Sequence, residues 1–473
     1  MIINTELKVL AIGRVFQVVI ALAIIKVATQ LLDAAEMGNF YLITSVTGFF
    51  GLFLVNPIGQ YINRKTHRWF DESKLLNVLF LYNIYLLFIS FFSVLVVWLL
   101  FYLGVGRGFD LFHMSICVAV FVYFNSCNQT LIPMLNMLGK RLPFVLFTLI
   151  SQLLYLIIAY ALVIVFEAKA VYWFLGQGIA FGISAIGSYV YFVKKVQYNF
   201  SFANAVKMIN LSSFSYIYKF SFPLSIGVLF FWLQTQSYGI LVEKYLGSEF
   251  LGFLGVGLVV AMAVSSSFES LTMQYLYPKI YKSMDNDLEF SVMISKVINL
   301  IVPIYFFLAI FLSFQALFLV AILVDEKYVG SYVYTIFGAW IAFFTMSSNI
   351  LANIAHAKLK TKELIYSHVT GGITAVVFLI ISVDSGNYEL YVPSSLLFAS
   401  ALAFIVMLFR MNKIVKVCIK ISSFFYAIVF SMPFSLSLAL YDFSGDVFYL
   451  MSVLFVFGLY FLLMLYVWIK RNG

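Results

Sequence analysis

Long apolar runs limit what this chain can fold into more than any other feature. Fourteen of them follow one another along the sequence, and an α-helix needs about 20 apolar residues to cross a bilayer. Continuous runs differ from the alternating segments of about ten residues that build a transmembrane β-barrel. Because 63% of the residues are hydrophobic and only 10% are charged, a soluble fold could not bury the apolar surface. We therefore predict an all-α integral membrane protein.

The predicted spans form two sets of six followed by a pair. The first set occupies residues 7–32, 37–62, 75–103, 112–137, 143–166 and 172–193. The second set occupies residues 220–242, 250–277, 292–324, 332–355, 364–383 and 391–411, and the pair occupies 424–440 and 447–469. We predict an N-terminal lobe at 1–193 and a C-terminal lobe at 220–411, with six helices each around a central cavity. Residues 412–473 add two C-terminal helices.

Residues 194–219 form the longest connection between spans and join the two predicted lobes. Within this segment Phe202, Val206 and Ile209 have helical spacing, and Lys207 falls on another face. The pattern is typical of a helix that lies in the cytoplasmic membrane interface. A plain linker is the alternative.

The distribution of basic residues predicts the orientation of the chain. With the N-terminus in the cytoplasm, the cytoplasmic segments hold 22 of the 29 lysines and arginines, whereas the outer loops hold four, namely Arg107, Lys169, Lys244 and Lys327. Such an excess marks cytoplasmic loops, so the number of spans is even and both termini are cytoplasmic. The net charge of +9 is spread over these loops and does not indicate nucleic-acid binding.

Short loops and missing motifs argue against several functions. The loops leave no room for a soluble catalytic domain, and no glycine-rich segment ends in the Lys-Ser/Thr pair that grips nucleotide phosphates. The four histidines lack metal-ligand spacing and lie near span ends: His67, His113, His356 and His368. We therefore predict a protein that is not an enzyme and that uses no cofactor and no metal.

The seventh and eighth spans are similar to the first and second, which indicates an internal repeat. An acidic turn joins each pair and leads to a glycine, Gly38 in the first pair and Gly252 in the second. Aligning these glycines places Asn56 opposite Ser270, beside Glu269. Two like halves with the substrate at their interface are a recurrent transporter plan. Coincidence of hydropathy is the alternative explanation.

Two charged residues lie deep within predicted spans. Arg14 and Glu269 each lie about five residues on the cytoplasmic side of the middle of their span, which is about 7 Å at 1.5 Å per residue. Charges at this depth are costly and mark binding sites by default. We predict that Arg14 meets an anionic head group and that Glu269 binds a coupling proton or sodium ion. A permanent structural ion pair between them is the alternative.

Neutral polar residues could complete the substrate site. Gln17 shares the face of Arg14 at i+3, Lys26 lies about 120° round the same helix and could instead snorkel, and Asn56 precedes Pro57 within the second span. Amides within spans can bind sugar hydroxyls or hold helices together. The predicted cavity residues are Arg14, Gln17, Lys26, Asn56, Asn125, Asn128, Gln129 and Gln234.

The first hairpin resembles a known family. The segment Leu31-Leu-Asp-Ala-Ala-Glu-Met-Gly-Asn-Phe-Tyr41 with Asn56-Pro57 and Arg64 is similar to the start of bacterial polysaccharide-biosynthesis membrane proteins. Phe222-Pro223-Leu224, Tyr245-Leu246-Gly247 and Tyr277-Pro278-Lys279 resemble the second half of that family. The family is that of the O-antigen and capsule repeat-unit flippases, within the multidrug, oligosaccharidyl-lipid and polysaccharide exporter superfamily.

The resemblance implies a function and a set of partners. The substrate would be an oligosaccharide on undecaprenyl diphosphate, moved from the cytoplasmic to the periplasmic leaflet of the bacterial inner membrane by ion-coupled alternating access. Membrane lipids, a glycan polymerase and chain-length machinery would be its partners. A peptidoglycan-precursor flippase, a drug/cation antiporter of the same superfamily and a membrane-embedded glycosyl transferase are the alternatives.

Overall fold

The computed structural model describes residues 5–195, 200–209, 211–283, 286–417, 419–441 and 446–472, and for a few of them, including 277–279, the backbone alone. All regular structure in these ranges is helical. Fourteen helices within them are long and apolar enough to cross a membrane, which confirms the predicted all-α membrane fold. The side chains of Tyr277, Pro278 and Lys279 lie outside the described part, as do residues 196–199 and 210 of the predicted linker.

The chain divides into two compact units. Unit 1 comprises Met1–Trp232 and Gly239–Gly252, and unit 2 comprises Leu233–Tyr238 and Phe253–Gly473. The division into lobes that we made from the sequence rests on the repeat rather than on packing, and it stays a prediction.

The helices that lie wholly or mainly in unit 1 supply the first seven spans. They are α1 Thr5–Leu31, α2 Ala34–Phe49, α3 Asn56–Asp71, α4 Leu75–Tyr102, α5 Leu111–Met137, α6 Arg141–Val165, α7 Ala170–Lys195, α8 Phe202–Lys207, α9 Leu211–Thr235 and α10 Ser237–Leu246. A π-helical segment, Phe50–Val55, joins α2 to α3 within one span. The short helix α8 lies in the connection where helical spacing predicted one.

Loops and helix ends contact one another at one end of unit 1. The Asp33 carboxylate caps α2 by accepting the Glu36 N–H at 2.8 Å, and the Glu36 carboxylate accepts the Ala170 N–H at 2.6 Å. Gly38 and Gly252 lie against each other's segments so closely that a Cβ on either would overlap a backbone carbonyl oxygen, of Ser248 and Ala34 respectively. Glycine is therefore required at both positions, because no side chain fits between the two backbones.

The second span is longer than the sequence predicted. We expected it to end at residue 62, but its helix continues to Asp71, so that the span holds 38 residues. Pro57 has no N–H to donate, and the preceding turn widens so that the Asn56 N–H bonds to the Gly51 carbonyl. The Tyr85 hydroxyl donates to the Leu54 carbonyl at 2.9 Å. The segment before Asn56-Pro57 is thus a π-bulge, a feature that often occurs at functional sites.

Unit 2 contains the remaining spans. Its helices are α11 Ser248–Lys282, which begins in unit 1, α12 Asp287–Leu323, α13 Tyr332–Ala357, α14 Lys362–Val383, α15 Tyr388–Asn412, α16 Ile421–Ser431, α17 Leu436–Ala439 and α18 Val447–Asn472. The last two spans pack on α12 through aromatic rings. Phe461 of α18 stacks on Phe307 with centroids 4.9 Å apart, and Phe434 meets Phe311 at 5.2 Å. The C-terminal pair is therefore an integral layer of unit 2.

Candidate functional site

Arg14 lies half-buried within the first span, and its guanidinium is held by its own helix. Its Nη1 donates to the Gln17 side-chain oxygen at 3.0 Å, as the i, i+3 spacing predicts. Its Nε is buried without a hydrogen-bond partner among the described residues. A buried donor without a partner costs free energy, so this guanidinium is able to donate a hydrogen bond to a further anionic group. Lys26 is half-buried further along α1.

The three predicted amide residues of the fourth span, Asn125, Asn128 and Gln129, lie in two different environments. Gln129 is exposed, and its side-chain N–H donates to the Asn125 oxygen at 3.1 Å. Asn128 is buried, and its side-chain oxygen has no hydrogen-bond partner among the described residues. In the second span, the Asn56 oxygen accepts the Gln60 amide at 3.1 Å. These amides therefore pair in part with their own helices and leave further polar atoms unused.

Glu269 is linked to a second helix of unit 2. Its Oε1 accepts the Asn349 side-chain N–H at 3.0 Å, which joins α11 to α13. Asn349 is exposed and Glu269 is half-buried. Gln234, also in unit 2, is buried and its oxygen packs against Gly371, where a Cβ would overlap it. The proposed pairing of Arg14 with Glu269 involves both units, and it stays a prediction.

The structure adds a cavity that we did not predict from the sequence. It has a volume of about 720 Å³ and lies within unit 1. That volume falls within the range of small-molecule sites, roughly 300–1,000 Å³. Fifteen residues line it: Ile58, Tyr61, Ile62, Lys65, Arg68, Trp69, Glu72, Lys74, Val78, Leu81, Tyr82, Tyr85, Met208, Tyr216 and Ile217.

The walls of this cavity, which we call the α3–α4 cavity, are two helical stripes, Met208 after α8, and Tyr216 and Ile217 near the start of α9. The α3 residues recur at 58, 61, 62, 65, 68 and 69, and the α4 side contributes 74, 78, 81, 82 and 85. Both series have the three-to-four-residue spacing of one helix face. The α3 periodicity is present in the sequence and continues past residue 62, where the predicted span ends.

The mouth of the α3–α4 cavity carries three cations and one carboxylate. Glu72 accepts the Arg68 Nε at 2.7 Å and the Lys74 Nζ at 2.8 Å. Hydrogen bonds from Lys74 and Arg68 lower the pKa of Glu72 to about 2, so the carboxylate is ionised throughout the physiological range. Lys65 is half-buried in the cavity wall. The balance at the mouth is cationic.

The described residues hold no group of three or more His, Cys, Asp or Glu side chains that could bind a metal ion. His113 pairs with the carboxylate of Asp110 at the start of α5, with Nδ1 and Oδ1 2.7 Å apart. His67 is exposed on α3.

Comparison with known proteins identifies the fold. No family model matches the sequence, and no curated protein matches it. Among solved structures, the lipid II flippase MurJ in an inward closed conformation matches with a TM-score of 0.70 and 14% identity, over 98% of this chain and 99% of that one. A multidrug resistance MATE family transporter of the MOP superfamily, inward-facing, matches with a TM-score of 0.54 and 12% identity, over 90% of this chain and 96% of that one. The chain thus has the fold of these transporters.

Proposed function

We propose that the protein is a flippase for oligosaccharide repeat units linked to undecaprenyl diphosphate. It moves them from the cytoplasmic to the periplasmic leaflet of the bacterial inner membrane, with both of its own termini in the cytoplasm. The product supplies O-antigen, capsule or exopolysaccharide assembly, in which a glycan polymerase and chain-length machinery act next. The protein performs no chemical reaction and needs no cofactor.

One observation carries the flippase part of this proposal, which both candidate substrates share. The fold similarity to a lipid II flippase extends over 98% of this chain, with a TM-score of 0.70. The similarity to the MATE transporter is lower, at 0.54. A flippase for a large lipid-linked head group therefore fits the fold better than a drug antiporter does.

The cation and the amides fit the proposed substrate. Arg14 binds the diphosphate, because a guanidinium with an unused buried N–H can add a charge-assisted hydrogen bond to phosphate. Gln17 orients that guanidinium from the same face of α1. Lys26 adds a second positive charge along the helix. Neutral amides bind sugar hydroxyls without a charge, a role we assign to Asn56, Asn125, Asn128, Gln129 and Gln234.

Glu269 couples transport to an ion gradient in this proposal. Its carboxylate is half-buried and holds one amide donor from the neighbouring helix. A proton or sodium ion that binds the carboxylate must compete with that Asn349 N–H. Ion binding therefore alters a contact between α11 and α13. In this way the ion can shift the equilibrium between the conformations of an alternating-access cycle.

Peptidoglycan-precursor transport is the second candidate. It is favoured because the more similar of the two structures reported above is a lipid II flippase. The two candidates share a polyprenyl diphosphate and differ in the head group. The sequence favours the repeat-unit substrate, since Arg14 is the one cation that we place deep within a predicted span and the other predicted cavity residues, apart from Lys26, are neutral amides.

Transport can be tested with the purified full-length protein in liposomes. Fluorescent undecaprenyl-diphosphate tetrasaccharide is placed in both leaflets, and a membrane-impermeant reagent that destroys external fluorophores measures the rate at which internal head groups reach the outside. We expect flux that requires protein and an ion gradient. Lipid II in parallel liposomes and a cationic dye distinguish the second candidate and an antiporter.

Flux of the tetrasaccharide lipid above that of lipid II would support the repeat-unit flippase. Flux of lipid II alone would replace it with the second candidate. Movement of the dye with neither lipid would reject both flippase functions.

A further inference from the structure

The α3–α4 cavity has an apolar end and a cationic end. Ile58, Tyr82 and Tyr85 line one end, whereas Lys65, Arg68 and Lys74 line the other. From Ile58 to Trp69 the α3 wall is about 16 Å long at 1.5 Å per residue. A ligand that fills it must therefore be amphipathic, with an anionic group at the lysine and arginine side chains.

The apolar end of the cavity coincides with the beginning of the membrane-facing surface. On α4, large exposed apolar side chains begin at Ile84, which is 50% exposed, and continue with Leu87, Phe88 and Phe91. Tyr82 and Tyr85 of the cavity wall stand at this level. Tyrosine is common at the boundary between hydrocarbon and head groups. The cationic mouth then lies at head-group depth, where the excess of basic residues predicts the cytoplasmic leaflet.

A buried hydroxyl group at the apolar end of the cavity indicates that the ligand has a polar atom there. Tyr82 is 5% exposed, lines the cavity and has a hydroxyl oxygen without a hydrogen-bond partner among the described residues. The Tyr85 hydroxyl, by contrast, is used by the Leu54 carbonyl. Buried hydroxyls normally have a partner, so the Tyr82 hydroxyl is available to an ester or phosphate oxygen of a bound lipid.

We propose that the α3–α4 cavity binds an anionic phospholipid of the cytoplasmic leaflet, with its phosphate between Lys65 and Lys74 and its glycerol ester region against Tyr82. Trp69 and Tyr61 form the sides of the head-group region. The Arg68–Glu72 and Lys74–Glu72 ion pairs hold the side chains at the mouth in place, and Lys65 provides a further cation three residues before Arg68 on α3. This site is distinct from the Arg14 and Glu269 positions, and the proposal does not rest on the transported substrate.

Native mass spectrometry of the full-length protein tests the site directly. The protein in detergent is titrated with phosphatidylglycerol or phosphatidylcholine, and dissociation constants are taken from the masses of lipid-bound species. We expect phosphatidylglycerol to bind more tightly than phosphatidylcholine. The double variant Lys65→Ala/Lys74→Ala should weaken phosphatidylglycerol binding about 20-fold and leave phosphatidylcholine unchanged, because each cation contributes separately to anionic lipid binding.

Two further variants separate a site from general surface charge. Lys140→Ala/Lys360→Ala removes two exposed lysines from other loops of the same predicted side, and it should leave the preference for phosphatidylglycerol intact. Tyr82→Phe keeps the buried ring and removes only the hydroxyl. We expect it to weaken binding of both lipids about threefold.

Equal losses in the two double variants would overturn the proposal, because they would reduce it to nonspecific attraction. Soluble glycerol 3-phosphate provides the second decisive arm. If it displaces phosphatidylglycerol at a concentration close to the dissociation constant of that lipid, the cavity binds a free phosphate and the assignment to a lipid is wrong. Failure of glycerol 3-phosphate to compete supports the amphipathic ligand.

Discussion

Arg14 and Glu269 are charged groups within different spans, and they are held in different ways. Arg14 in unit 1 bonds to Gln17 of its own helix, whereas Glu269 in unit 2 bonds to Asn349 of another helix. Because the hydrogen bond lies within one helix, the guanidinium keeps its position relative to α1 when that helix moves. A bond between helices makes the position of α11 against α13 depend on the state of the carboxylate. In the proposed mechanism, the cation therefore holds the ligand and the acid changes a contact between helices.

Removing the cation should have the largest effect. Arg14→Ala leaves the proposed diphosphate without its guanidinium, and loss of one partner of a buried charged hydrogen bond costs about 3 kcal/mol. We expect flux in liposomes to fall about 100-fold at unchanged protein level. Lys296→Ala, which removes an exposed cation of α12 that we do not place in the substrate site, is the matched control. Full flux in Arg14→Ala would exclude Arg14 from the substrate site.

Neutralising the acid should abolish coupling while transport itself continues. Glu269→Gln keeps the shape of the side chain and an oxygen that can accept the Asn349 N–H, but it cannot gain or lose a charge. We expect flux with an imposed ion gradient to fall about tenfold, to the level seen without a gradient. The exposed Glu249 at the start of α11 supplies the control, Glu249→Gln. An undiminished response to the gradient would make Glu269 a structural residue.

The depth of these charges could be read from the sequence, but their partners could not. Counting residues along one apolar run places Arg14 and Glu269 within their spans, and i, i+3 spacing identifies Gln17. The Asn349 partner depends on which faces of α11 and α13 meet, and nothing local in either helix specifies that. Gly38 and Gly252 were matched as repeat positions, whereas their backbone contact needed the assembled helices.

The α3–α4 cavity shows a second limit of sequence reasoning. Hydropathy ended the second span at residue 62, because the following residues are polar. The structure continues that helix to Asp71, since polar side chains on one face do not interrupt an amphipathic helix. A search for helical periodicity beyond the apolar run would have found the stripe from Ile58 to Trp69. The third wall, at Met208 and Tyr216, comes from a distant segment and could not be inferred.

A smaller effect is expected when the bond between α11 and α13 is removed. Asn349→Ala takes away the N–H with which a coupling ion must compete, so the carboxylate binds the ion more readily. A hydrogen bond to a charged group contributes about 1 kcal/mol or more, which predicts a fall of about fivefold in the ion concentration that gives half-maximal flux. Ser348→Ala, which removes a hydroxyl bonded to the Phe344 carbonyl at 2.9 Å, should not change that concentration.

The bond within α1 should matter least, and it provides the sharpest test of the comparison. Gln17→Ala removes the acceptor that orients the Arg14 guanidinium, and side-chain pairs on one helix are worth about 0.5 kcal/mol. We expect the substrate concentration for half-maximal flux to rise about twofold with an unchanged maximal rate. If Gln17 acts through Arg14, the change vanishes when Gln17→Ala is combined with Arg14→Ala. If the effects of Gln17→Ala and Arg14→Ala multiply instead, Gln17 contacts the substrate independently of Arg14. The position of the guanidinium then does not depend on its hydrogen bond within α1.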